Sequence, residues 1–217
     1  AKGIVASAFG YQGQKCSAAS RLYVPREMWP TLRDLLIDRT RALRMGDPTE
    51  LGVDLGAVIS ERQFRKQAVT LAKAQAATKV LAGGRVDDTQ GWFVDPTLLE
   101  TDDARSEFMT EEFFAPILTC YAYDSSWGEL LDLVDRSSIY GLTGAVFASD
   151  DRALAEADDR LRFAAGNYYV NDKPSGAIVG QQPFGGARAS GTDDKAGTVW
   201  NLIRYTAPRT IKTKHLG

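Results

Sequence analysis

Short strand-like runs alternate with helix-like runs along most of this chain, and that alternation limits its fold more than any other feature. Residues 1–8 are small and apolar and read as the end of a helix running into Gly10. Arg21-Leu22-Tyr23-Val24-Pro25 reads as a strand stopped by proline. Residues 27–43 place Met28, Leu32, Leu35, Leu36 and Leu43 on one face of an amphipathic helix, which Gly46-Asp47-Pro48 ends. After a glycine-containing loop over 51–59, Ser60-Glu61-Arg62-Gln63 has the form of a capped helix start. Phe64, Ala68, Leu71, Ala72 and Gln75 carry that helix to about residue 77. Lys79-Val80-Leu81-Ala82, Trp92-Phe93-Val94, Thr97-Leu98-Leu99 and residues 117–123 read as strands. Helices are then expected over 127–134 and 150–161, with strands over 141–148 and 166–171. Neighbouring parallel strands need crossovers of about a dozen residues, usually helical. The pattern therefore predicts an α/β fold with a largely parallel sheet.

Composition removes several function classes. A chain of 217 residues can bury a substantial single core. Its formal net charge is −2, and it has no basic stripe with which to hold nucleic acid. No apolar run approaches the ~18 residues of a membrane span. Two distant cysteines do not form a disulfide framework, so a reducing compartment is expected. No Cys/His cluster has metal-ligand spacing, and no signal-peptide pattern opens the chain.

Three stretches carry chemistry. The first is Phe9-Gly10-Tyr11-Gln12-Gly13-Gln14-Lys15-Cys16-Ser17-Ala18-Ala19-Ser20-Arg21. Glycines allow a tight turn before Cys16, small neighbours leave room for a substrate, and Lys15 supplies a cation that favours the thiolate. Read from composition alone, Cys16 fits better as a small buried hydrophobe. Cys120 lies inside a strand with no glycine or cation beside it and reads as core.

The second stretch is Thr110-Glu111-Glu112-Phe113-Phe114-Ala115-Pro116. Its two carboxylates and two aromatics suit a solvated loop edge with hydrophobic anchors, or a site that accepts hydroxyl donors. The third runs over residues 173–191 and is too rich in glycine and proline for regular structure. A loop of this length inside a domain is more often functional than idle. It lacks the ending of a P-loop, but its backbone N–H groups near Gly176 suit a carboxylate. Residues 206–213 read as an exposed strand able to pair with another chain.

These stretches resemble the aldehyde dehydrogenase superfamily. Gly13-Gln14-Lys15-Cys16 matches its G-Q-x-C core, Glu112-Phe113-Phe114-Ala115-Pro116 its E-x-F-G-P motif with alanine for glycine, and the segment from Tyr140 its Y-G-L-x-x-x-V-F strand. The long loop, together with the S-G-T-x-x-K-A-G from Ser190, is similar to one branch, the delta-1-pyrroline-5-carboxylate dehydrogenases. The resemblance covers essentially the whole chain but only the C-terminal part of a full-length member.

It implies a three-layer α/β/α catalytic domain over residues 1–205 and a C-terminal oligomerisation strand and tail over 206–217. It implies Cys16 as nucleophile, and Glu112 and Phe114 at the nicotinamide ribose of NAD. Ser17, Gly176, Ala177 and Phe184 are implied around the α-carboxylate and stem of glutamate semialdehyde. The expected compartment is the cytoplasm, or the mitochondrial matrix in a eukaryote, and the expected assembly is a homo-oligomer. The family's E-L-G-G glutamate and its dinucleotide fingerprint are absent from these residues, so an upstream NAD-binding half is expected ahead of Ala1, and little turnover from the chain alone. Three other readings are an aldehyde dehydrogenase for another aldehyde, a cysteine hydrolase or acyltransferase using His215, the only histidine, and a non-catalytic interaction module.

Overall fold

In a computed structural model, which describes residues 1–215 and 217, the predicted periodicities become real elements around one mixed sheet. Helix α1 (Lys2–Phe9) runs into a single tight turn, Gly10–Gly13, and the chain then enters β1 (Arg21–Pro25). Helix α2 (Trp29–Arg41) carries Pro30 in its first turn, where no helical N–H is needed. Helix α3 (Glu61–Ala77) is capped by Ser60, whose hydroxyl accepts a hydrogen bond from the Gln63 N–H at 3.3 Å. β2 (Lys79–Ala82), the short pair β3 (Val86–Asp87) and β4 (Phe93–Val94), and β5 (Thr97–Glu100) follow. After the single-turn helix α4 (Glu107–Thr110) comes the longest strand, β6 (Ile117–Tyr123).

The main sheet has the order β1-β6-β5-β2. β6 pairs in parallel with both β1 and β5, and β2 runs antiparallel at the edge. Successive side chains in a strand point to opposite faces, and that alternation builds two cores. Leu98, Leu118, Cys120 and Ala122 meet Val5, Ala8 and Phe9 of α1 and Leu36 of α2. Leu99 and Ile117 face the other way, against Phe64, Leu71 and Ala74 of α3. Burying leucines such as Leu36, Leu98 and Leu118 completely stabilises the fold by about 2 kcal/mol each. The result is the expected helix–sheet–helix layering.

A second, smaller unit contains α5 (Trp127–Arg136), β7 (Tyr140–Gly141), β8 (Thr143–Val146), α6 (Asp151–Arg160) and β9 (Asn167–Val170). Ser126 and Glu129 form a reciprocal capping box at the start of α5, and Asp150 caps α6. β8 and β9 pair in parallel over a core of Leu131, Val146, Ala157 and Leu161. β10 (Ala187–Arg188) pairs with β7, and the short helix α7 (Val199–Ile203) precedes the tail. Among the described residues, β1 pairs only with β6 and β8 only with β9. Their free edges face one groove of about 200 Å³, lined by Leu22, Tyr23, Thr143, Val146 and Tyr168 among others.

Two expectations are corrected. The single strand over 141–148 is broken at Leu142, because Tyr140 and Gly141 pair with β10 while β8 pairs with β9. Among the described residues, 206–213 pair with no strand of this chain: beyond the Thr206 N–H they donate no backbone hydrogen bond there, and a strand exists only where a ladder partner is present. The predicted tail also includes Leu216, which lies outside the described residues.

Candidate active site

The loop before Cys16 is shaped by three consecutive residues in the left-handed region: Tyr11 (φ 60°), Gln12 (φ 57°) and Gly13 (φ 64°). Each non-glycine residue held there costs about 1–2 kcal/mol. The surroundings offset this cost. The Gln12 amide donates to the Ala57 carbonyl at 2.9 Å, and Gln14 Oε1 accepts from the Ile59 N–H at 3.1 Å. Gly13 lies directly on the backbone of Ala115: a Cβ at this position would sit 2.1 Å from the Ala115 carbonyl oxygen. The chain then turns again, Ala18 N–H to Lys15 carbonyl at 3.1 Å, and Ala19 N–H is tied to the buried Ser7 hydroxyl at 3.3 Å. Cys16 is left exposed at the outside of that turn. The Lys15 ammonium folds back over Gly10.

The close approach of Gly13 to Ala115 sets the second informative stretch beside the first. Phe113 turns inward and packs against Phe108, with ring centroids 5.5 Å apart. Phe114, at φ 56°, turns outward with 40% of its surface exposed. Two glutamines on α3 hold the backbone here: Gln63 Nε2 donates to the Phe114 carbonyl at 2.8 Å, and Gln67 Nε2 to the Phe113 carbonyl at 2.9 Å. Cys16, Glu112 and Phe114 line one cleft of about 280 Å³, together with Lys15, Arg21 and Tyr140. Glu112 is exposed and has no ion-pair partner among the described residues, so its carboxylate is open to hydroxyl donors. Arg21 donates to the Met109 carbonyl at 3.1 Å. Burial pushes its guanidinium below its ordinary value, yet it stays protonated and keeps a positive charge on this wall.

The remaining predicted residues lie elsewhere. Ser17 is buried behind Cys16 and does not line the cleft. Gly176, Ala177 and Phe184 also lie outside its lining. The long loop instead enters through Lys173 and Pro174, which line the neighbouring groove, and the two cavities share a wall formed by Ala18, Ser20, Arg21, Tyr140 and Thr143. Gly176 is exposed at φ 84°, and the Lys173 ammonium lies 3.8 Å from the point a Gly176 Cβ would occupy. Phe184 is half-buried and bridges Ala196 through two backbone hydrogen bonds of 3.0 and 2.7 Å. Asn167 and Lys195 fasten this part of the loop: Asn167 bonds Pro183 and Gly185, and Lys195 donates to the carbonyls of Gly166 and Gly185.

Gln63, Gln67, Arg21 and Lys195 were not anticipated as site residues. The one signal for the glutamines was a polar residue recurring four positions apart on the face of α3 that also carries Phe64 and Leu71. His215 is exposed and lines none of these cavities. Among the described residues, no three His, Cys, Asp or Glu side chains gather as metal ligands, and no helix is long and apolar enough to cross a membrane.

The two thiols differ sharply. Cys120 is wholly buried in β6, and loss of solvation pushes its thiol well above the ordinary value. Iodoacetamide at about pH 8 is therefore expected to alkylate Cys16 in the native protein and to reach Cys120 only after denaturation. Intact mass and peptide mapping check this, and native labelling of Cys120 would contradict its burial.

Comparison with known proteins agrees with this geometry. The family model described as "Aldehyde dehydrogenase family" matches residues 1–211. The chain is 46% identical over 218 residues to the mitochondrial delta-1-pyrroline-5-carboxylate dehydrogenase of Danio rerio, covering 99% of this chain and 39% of that protein. It is 48% identical over 217 residues to the Homo sapiens protein of the same name, covering 98% and 38%. A crystal structure of the delta-pyrroline-5-carboxylate dehydrogenase from Mycobacterium tuberculosis bound with NAD superposes with a TM-score of 0.87 at 45% identity, covering 100% of this chain and 41% of that one. The chain thus spans about two fifths of the length of the relatives it matches. With an exposed cysteine beside the Glu112–Phe114 segment and a family match over nearly its full length, this chain belongs to the aldehyde dehydrogenase family.

Proposed function

We propose that this chain is the nucleophile-bearing part of an NAD-dependent dehydrogenase that oxidises L-glutamate γ-semialdehyde to L-glutamate. The observation that carries this reading is the single cleft shared by exposed Cys16, Glu112 and Phe114. In it the Cys16 thiolate adds to the aldehyde carbon, and the carbonyl oxygen takes up a proton to give a hemithioacetal. When bound, NAD supplies the acceptor for the hydride that leaves this carbon, raising it to the acyl level. Water then cleaves the Cys16 thioester, releasing the carboxylate and restoring the thiol. The free Glu112 carboxylate suits ribose hydroxyls, and the exposed Phe114 ring gives that sugar an apolar wall. The Cys16 N–H is the oxyanion donor this chain contributes.

Substrate choice rests on the long loop. Backbone N–H groups of Gly176 and Ala177 receive the α-carboxylate and Phe184 packs on the stem, whereas the Ser17 hydroxyl implied there is buried behind Cys16 and reaches it only after the turn around Cys16 opens. The Lys173 ammonium close to Gly176 supports an anionic headgroup there. The shared wall of the two cavities gives the substrate a route from that loop to Cys16.

Residues 1–205 act as the catalytic domain of a longer polypeptide, and residues 206–217 pair with another copy. The relatives are about two and a half times as long, and the free edges of β1 and β8 can accept a further strand. Both of these relatives are named as mitochondrial proteins, which supports the matrix as the setting if the source is a eukaryote. In an assay with NAD and pyrroline-5-carboxylate, the longer polypeptide is expected to produce NADH and residues 1–217 alone to produce almost none. Robust NADH formation by the chain alone would overturn the proposed division of labour, and none from the longer polypeptide would overturn the substrate.

A further inference from the structure

We infer that Gln67 is a positioning residue for the cofactor: through the backbone it fixes how Glu112 and Phe114 meet NAD. This rests on the reading of Glu112 and Phe114 given above. The Gln67 side chain has no exposed surface, and its Oε1 has no hydrogen-bond partner among the described residues. A buried amide is costly unless its polar atoms are satisfied, so one left half-satisfied calls for a reason. Its single hydrogen bond, 2.9 Å from Nε2, goes to the Phe113 carbonyl. One helical turn earlier, Gln63 Nε2 donates to the Phe114 carbonyl at 2.8 Å and, more distantly, to the Phe113 carbonyl at 3.4 Å, so Gln67 is the shorter of two donors to Phe113.

These two carbonyls belong to the peptide planes on either side of Phe114. Holding both planes holds the φ and ψ of the residue between them, and that residue is in the left-handed region at φ 56°. An aromatic side chain keeps such a conformation only where its surroundings determine it. The next residue, Ala115, is held from the opposite side by Gly13. The segment is therefore gripped between α3 and the cysteine loop. Phe113 packs against Phe108 and Phe114 is the more exposed ring, so the grip sets how this segment, whose Glu111 and Glu112 both line the cleft, presents Glu112 and Phe114 to the cofactor. Gln67 lines none of the described cavities and acts only through this backbone.

The test uses the longer polypeptide and three variants. Gln67→Met keeps the volume of the side chain and removes its donor. It is expected to raise KM for NAD about tenfold, the worth of one lost hydrogen bond, and to leave kcat at saturating NAD and KM for the aldehyde within about twofold. Gln67→Asn, too short to reach the Phe113 carbonyl, is expected to shift KM in the same direction and serves if the methionine variant fails to fold. Glu112→Gln separates the inference from the reading beneath it. If Glu112→Gln weakens NAD while neither Gln67 variant does, Gln67 is not a positioning residue. If none of the three weakens NAD, Glu112 is not a cofactor contact and the inference falls with it. Equal losses in kcat and both KM values would mean a merely structural role and would overturn it as well.

Discussion

Replacing Cys16 by alanine in the longer polypeptide is expected to lower aldehyde oxidation by about ten-thousand-fold or more, while NAD still binds. Losing the nucleophile of an enzyme that works through a covalent adduct removes the pathway itself, and such losses are among the largest single-residue effects known. The alanine also leaves the fold intact, since Cys16 is exposed and makes no core contact. Three measurements separate this from misfolding: steady-state NADH production, NAD affinity by fluorescence titration, and the thermal midpoint. A Cys16→Ala protein retaining a tenth of the wild-type rate would remove the covalent mechanism.

Gly13→Ala is expected to be among the most destabilising small substitutions in the molecule, at about 3–5 kcal/mol. Two penalties coincide there. The residue sits at φ 64°, and the added Cβ would fall 2.1 Å from the Ala115 carbonyl oxygen, 2.5 Å from its carbon and 2.9 Å from the Pro116 nitrogen. All three are backbone atoms, so no side-chain rotation relieves the contact. Either the cysteine loop or the 111–116 segment must move, which separates Cys16 from Glu112. Gly180→Ala is the matched control: Gly180 also has positive φ, at 81°, but nothing lies within 4 Å of its added Cβ. It should cost only about 1 kcal/mol, the backbone penalty without the clash. At roughly 2–4 °C per kcal/mol for a protein of this size, Gly13→Ala lowers the melting midpoint by about 10 °C and Gly180→Ala by a few degrees. Equal shifts for the two would show that the contact with Ala115 does not hold the cleft together.

Much of the architecture was legible because local chemistry and long-range packing agree. Ser60 and Asp150 cap the helices they announce, and residues 117–123 form a strand in full. Residues 141–148 were misread because their apolar run fits one strand, while the pairing partners that divide it are distant in sequence. Helix α7 and the two-residue strands β3 and β10 were missed because elements so short carry no periodicity.

The candidate site divides in the same way. Its exposed thiol, its inert thiol and its carboxylate-aromatic segment were each marked by their immediate neighbours. Nothing local marks Tyr11, Gln12 and Phe114 as left-handed, since none is a glycine, and two of them are held by groups far along the chain: Gln12 by Ala57, and Phe114 by Gln63. The sequence by itself determined the alternation of helix and strand, because period-two and period-3.6 burial are local properties; its residues left Cys16 open between a reactive thiol and a buried hydrophobe, and the motif resemblance singled it out. Only the tertiary structure decided that Cys16 and Glu112 share a cleft, that the long loop opens into the cavity beside it, and that a buried glutamine grips the segment between them. Those facts depend on backbone-to-backbone approach, above all Gly13 against Ala115, and side-chain composition does not encode which distant carbonyl a glycine will meet.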